Sequence, residues 1–163
     1  MKTHFLFPNK YKKIGWILFI LGIALHVYAT YETKLEERFM MKVFALIDDG
    51  INSDGINSNY NYFTFIQNSI LDELYFFLII VGGLLVSFSK LKVEDEFIAK
   101  IRYESLVWAT YLNYGLILFF TLFVYGLSYI NVLFYNTFTL LLFFIVRFHF
   151  MIYKLNKSGS DDE

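Results

Sequence analysis

The sequence predicts an all-α, polytopic membrane protein with four transmembrane helices, the third prolonged by an interfacial or cytoplasmic helical extension. Three observations carry this. The 163 residues are 57% hydrophobic and 21% aromatic, more apolar than the water-exposed surface of so small a chain allows. The apolar residues gather in long runs separated by polar ones. The stretch Val93–Ile130 passes from a charged amphipathic pattern into a wholly apolar one with no Pro or Gly at the junction. A single membrane domain over residues 1–163 follows. Its spans lie near 14–30, 70–88, 106–130 and 132–153, and its external connection at 31–69.

Composition also excludes. A formal net charge of −1 gives nucleic acid nothing to bind and no field to steer ligands. With no cysteine there are no disulfides, thiolate metal sites or thiol catalysis.

The N-terminal tail carries Lys2, Lys10, Lys12 and Lys13, and Pro8 delays helix because the residue before proline avoids the helical region. Ile14–Thr30 is the first span, near the minimum length at a rise of about 1.5 Å per residue. A basic tail and an apolar run also describe a signal peptide, with Val27-x-Ala29 as a cleavage site. The run is long for a signal core, so a retained helix is expected.

In the connection Tyr31–Ser69, Leu35, Phe39, Val43 and Leu46 recur at three- and four-residue spacing, which predicts a helix over Glu32–Leu46. Asp48–Asn61 repeats Asp-Gly-Ile-Asn-Ser at once and reads as a loop. Its acidic spacing fails the EF-hand test: with Gly55 at the turn, the first ligand position falls on Gly50.

Ile70–Phe88 is the second span, and Gly82-Gly83 within it predict a close helix approach. After the link Ser89–Lys92, Val93, Phe97, Ile101 and Trp108 share a predicted helical face, while Glu96, Lys100 and Glu104 form a four-residue ladder. Leu106–Ile130 is the third span, Asn131 the turn, Val132–Tyr153 the fourth span, and Lys154–Glu163 an unstructured polar tail.

Lysine and arginine set topology. The N-tail lysines, Lys90, Lys92, Lys100, Arg102, Lys154 and Lys157 fall on one side of this scheme; Lys34, Arg38 and Lys42 fall on the other. Both termini are therefore expected in the cytoplasm. Trp16, Tyr103, Trp108 and Tyr153 at the inner interface, with Tyr28, Tyr31, Tyr75, Tyr129 and Tyr135 at the outer, agree with it.

Few polar residues are candidates for chemistry. Arg147 lies within the fourth span, and a charge there is a functional candidate, although it is close enough to the inner end to snorkel. Glu104 enters the third span at the same level. The two are expected to pair across the hairpin, as an ion pair fixing register or as a polar site open to the cytoplasm. His26 and His149 differ in depth by roughly 10–12 Å at helical rise, too far to serve one haem. Hydrogen bonds to neighbouring helices are expected for them and for Asn113, Thr110, Asn136, Thr137 and Thr139. Glu94, Asp95 and Glu96 lack clustered histidines, so they form a solvated face and no metal site. No phosphate-binding loop, metalloprotease helix or nucleophile elbow is present. No cofactor and no catalytic residue is expected.

Three stretches, FPNKYKKIGW (Phe7–Trp16), VEDEFIAKIRYESLVWATYLNYG (Val93–Gly115) and NVLFYNTFTLLLFFIVRF (Asn131–Phe148), carry a resemblance. The chain resembles a family of small four-helix membrane proteins typical of Bacteroidetes-type bacteria. The resemblance implies membrane topology and a bacterial origin, and a bacterial inner membrane is the expected location; it transfers no activity and no functional residue.

These readings point to a non-enzymatic sensory, regulatory or docking component of the membrane. Its partner would meet residues 93–104, on a face of Glu94, Asp95, Glu96, Phe97 and Ile101. The alternative is an oligomeric transporter or channel subunit, with a homo-oligomer as partner. A membrane enzyme or haem protein ranks last for want of a clustered site.

Overall fold

The computed structural model describes residues 5–32, 34–48, 51–52, 55–56 and 61–160. In chain order it places α1 (Lys10–Tyr31), α2 (Lys34–Arg38), β1 (Met40–Asp48), β2 (Ile51–Asn52), β3 (Gly55–Ile56), β4 (Asn61–Ser69), α3 (Leu71–Phe88), α4 (Glu96–Phe123) and α5 (Leu127–Ser160). Among the described residues four helices are long and apolar enough to cross a membrane: α1, α3, α4 and Leu127–Leu155 of α5. The described chain divides into two compact units, Met1–Ile20 with Leu78–Glu163, and Leu21–Phe77.

The first unit is helical. Its core is a stack of flat groups drawn from three helices. Phe88 of α3 stacks on Phe144 of α5 at 5.6 Å between ring centroids, and Phe144 stacks on Phe148 at 5.8 Å. The Arg102 guanidinium of α4 caps the stack, 4.5 Å from the centre of Phe148. Ile98, Ile101 and Ala109 of α4 complete it. The α1–α3 joint is a meeting of two backbones. A Cβ added at Gly82 would lie 2.5 Å from the Phe19 nitrogen, and one at Gly15 would lie 2.9 Å from the Val86 nitrogen. The close approach expected of Gly82 is therefore present, and Gly15 is its counterpart.

Three boundaries differ from expectation. The turn between α4 and α5 comes at Val124–Gly126, not at Asn131. Gly126 takes φ +71°, a conformation open to glycine, so Leu127–Ile130 begin α5. Helix α5 continues to Ser160, through most of the tail expected to be unstructured. Helix α4 begins at Glu96, with Asp95 as its N-cap, so Val93 precedes the helix.

The second unit corrects the all-α expectation. The connection holds a β-hairpin in place of a helix over Glu32–Leu46; only the short α2 is helical there. Strands β1 and β4 pair antiparallel from Met40↔Ser69 to Asp48↔Asn61. The ladder leaves out Leu46 and Phe63, and Phe63 has φ +53°, a costly region for a bulky residue. Strands β2 and β3 pair Ile51 with Ile56 and Asn52 with Gly55. Most of the remaining Asp48–Asn61 segment, with the calcium question attached to it, lies outside the described residues.

The physical reason for the hairpin lies in β4. Tyr62, Phe63, Thr64, Phe65 and Ile66 are strand-favouring aromatic and β-branched residues, and Asp-Gly steps are strong hairpin signals. Pairing with β4 outweighs the helical spacing in β1. At its base, the Asn68 amide donates to Glu73 Oε1 (3.1 Å), tying the hairpin to the start of α3.

Candidate functional site

The most constrained polar cluster centres on Arg102, which sequence reasoning used only to set topology. Helix α4 buries one stripe, Ile98, Ile101, Arg102, Ser105, Ala109 and Asn113. Arg102 is 7% exposed. Its Nη2 donates to both oxygens of Glu94, at 2.8 and 3.1 Å. Its Nη1 donates to the Ser87 carbonyl at 2.8 Å. That carbonyl belongs to the last turn of α3, where helix carbonyls lack partners and a cation is favoured. Glu94 Oε2 also accepts the Leu91 N–H at 2.8 Å. One guanidinium thus joins the end of α3, the link and α4.

The N-terminal segment is sewn to the same place. Phe7 N–H donates to the Phe88 carbonyl and Lys90 N–H to the Phe7 carbonyl, both at 2.9 Å, and Asn9 Nδ2 donates to the Lys90 carbonyl at 2.6 Å.

The expected Glu104–Arg147 pair is not formed. Glu104 lies 3.9 Å from Lys100 of its own helix, an exposed contact. Arg147 crosses to α4, but one turn deeper, where its guanidinium lies 4.8 Å from the centre of the Trp108 ring. A half-exposed carboxylate keeps its hydration, whereas the ring face accepts the cation without desolvating a second charge. Among the described residues neither Arg147 Nε nor Arg102 Nε, both buried, has a hydrogen-bond partner.

The docking face expected over residues 93–104 is largely committed inward. Glu94 holds Arg102, the Asp95 carboxylate accepts the Ile98 N–H at 2.7 Å, and Ile101 is in the core. Glu96 and Phe97 remain exposed. Beside Phe97 a groove of about 270 Å³ opens between α4 and α5, lined by Phe97, Lys100, Ile101, Glu104, Met151, Lys154 and Leu155.

The other polar residues bond mainly within their own helices. Thr110 and Thr139 donate to the carbonyls of Leu106 and Tyr135, each four residues back. The His149 Nδ1 is 2.9 Å from the Ile145 carbonyl, and its ring meets Trp16 of α1 at 5.3 Å. These replace the expected interhelical hydrogen bonds. Between α4 and α5, Thr121 Oγ1 and the Tyr129 hydroxyl share a hydrogen bond of 2.7 Å. In the second unit the His26 ring lies 4.7 Å from that of Tyr75. Asn136 lines a cavity of about 290 Å³ with Leu116, Phe120, Asn131, Val132, Tyr135 and Thr139. Asn113 is buried, and its Oδ1, like the hydroxyls of Ser87 and Ser105, has no hydrogen-bond partner among the described residues.

Among the described residues no group of three or more His, Asp or Glu is placed to hold a metal ion. Comparison with family models, with curated proteins and with solved structures finds no match. The chemistry within reach of the described cluster is that of a latch: one buried cation, one carboxylate and the carbonyl end of a helix.

Proposed function

We propose that this chain is a multi-pass component of a bacterial inner membrane that works by docking a protein partner, not by catalysis. The carrying observation is the groove between α4 and α5, set in an end of the molecule that Arg102 makes rigid. Phe97, Ile101, Met151 and Leu155 give it an apolar lining, and Lys100, Lys154 and Glu104 a charged one with an excess of lysine. The occupant that suits it is an amphipathic segment with an apolar anchor and carboxylates directed at the lysines.

This end is cytoplasmic in the proposed topology, with both termini inside. Support comes from the company the basic residues keep. Lys10, Lys12, Lys13, Lys90, Lys92, Lys100 and Lys154 lie on segments that the Phe7–Lys90 contacts, the Ile98–Phe148 core and the groove bring to one end of the first unit. The resemblance noted in the sequence supports the bacterial setting.

The test is a photo-crosslinking residue at Phe97 in living cells, with one at Val146 as an exposed control. A discrete protein adduct at position 97, absent at 146 and lost with Lys100→Glu and Lys154→Glu together, is the expected result. Adducts of lipid alone at both positions would refute docking.

A second reading rests on a different observation. The unpartnered oxygens of Ser105 and Asn113 on the buried stripe of α4, and of Ser87 on α3, have a polar character suited to an oligomeric transporter or channel. Solute or ion flux in proteoliposomes, abolished by Asn113→Leu, is its test.

A further inference from the structure

We infer that the cleft between the start of α1 and the α3–α4 link is a binding site for the phosphate of an acidic phospholipid. Asn9, Lys12, Lys13, Trp16, Leu91 and Lys92 line a cleft of about 320 Å³. Its walls are fixed, not draped. The Phe7–Phe88, Lys90–Phe7 and Asn9–Lys90 hydrogen bonds hold the α1 start against the link.

The charge on these walls is one-sided. Lys12, Lys13 and Lys92 all line the cleft, and among the described residues no carboxylate lines it. Lys12 is half-buried and within electrostatic range of both Arg102 and Glu94. Glu94 is the nearby anion, and both of its oxygens are engaged by Arg102. The carboxylate beside Lys12 is therefore already committed to Arg102. Like charges held together on a rigid frame repel, and a phosphate seated among the ammonium groups removes that repulsion.

The source of the phosphate follows from what adjoins the lysines. Trp16 and Leu91 make part of the cleft apolar. Along the same helix Ile14, Ile17 and Ile20 stay exposed, a surface for acyl chains. Basic pockets at the inner interface beside such a surface bind lipid headgroups, and tryptophan favours that level. A free phosphate would use the lysines and leave the apolar wall unused.

The experiment uses the full chain in phosphatidylcholine vesicles, with Trp108→Phe leaving Trp16 as the reporter. Brominated phosphatidylglycerol and brominated phosphatidylcholine are compared as quenchers of Trp16. The expected preference for the acidic lipid is about fivefold or more, and Lys92→Gln alone lowers it by about that factor, as one lysine near an anionic headgroup contributes. Lys157→Gln, away from the cleft, leaves the preference unchanged. Lys92 stands exposed in a link, so its variant folds as the parent does.

Equal quenching by the two lipids overturns the inference. So does a Trp16 response to millimolar inorganic phosphate without any preference for phosphatidylglycerol, which would assign the cleft to a soluble anion. A preference untouched by Lys92→Gln, and by Lys12→Gln with Lys13→Gln, would place the lipid elsewhere. The protein-docking reading stands or falls separately, on crosslinks from Phe97.

Discussion

Arg102 and Arg147 each lay a guanidinium on an aromatic ring of a neighbouring helix, and there the likeness ends. Arg102 meets Phe148 and in addition holds a carboxylate through two hydrogen bonds and a helix-terminal carbonyl through a third. Arg147 meets Trp108, and among the described residues the Nε of each of these two arginines is buried without a hydrogen-bond partner. The first is a buried charge met by a carboxylate and a helix-terminal carbonyl; the second leans on one ring face. The position that looks most functional in the sequence, a charge deep in a span, is the less committed of the two. The arginine that looks like a topology marker holds three elements together.

The sharpest way to break this contrast is Arg102→Met. It leaves the Glu94 carboxylate buried without its partner, and a loss of about 3–5 kcal/mol is expected in equilibrium unfolding in detergent. Adding Glu94→Leu to that variant restores most of the loss, because both charges then leave together. A double variant as unstable as Arg102→Met would show that the α3 carbonyls, not the ion pair, carry the effect.

Gly82→Val comes next, at about 1–3 kcal/mol, as the new side chain meets the Phe19 backbone and wedges α1 from the α3 segment that leads to Arg102. The same measurement on Gly115→Ala, where a Cβ meets nothing within 4 Å, is expected to show a gain of about 0.5–1 kcal/mol. Removing the ring beneath Arg147 with Trp108→Leu costs about 0.5–2 kcal/mol from the cation–π contact. In an Arg147→Gln background the further loss shrinks to the lost packing. A thermal-melt cycle over the four proteins gives the coupling. Glu104→Gln is the smallest, under about 0.5 kcal/mol, since its contact with Lys100 is exposed. A loss near that of Arg102→Met would reinstate Glu104 as a partner of the buried charges.

How much of this was legible in the sequence divides along a physical line. The four apolar helices were, because hydropathy is local and a span needs only length. The glycine contact at Gly82 was, because close approach needs a missing side chain. The hairpin was not: β1 carries a helical spacing of its own, and only pairing with β4, across the whole intervening loop, decides it. Arg102 was missed for a similar reason. Glu94 lies eight residues away, before the helix begins, so no helical periodicity joins the two. A Glu preceding an N-cap Asp, with an Arg on the stripe that the helix buries, was the available signal. The Glu104–Arg147 expectation matched two charges by depth and ignored the Trp108 ring one turn deeper.

The short separation of Glu94 and Arg102 matters before the protein is complete. A ribosome delivers α4 to the membrane with its cation and its counter-ion already joined by a loop short enough to close in about 10–100 ns. They can close on one another and on the finished end of α3 while α5 is still being synthesised. What enters the assembling unit is then a neutral clasp, and Phe148, arriving last, lies over a joint that is already shut.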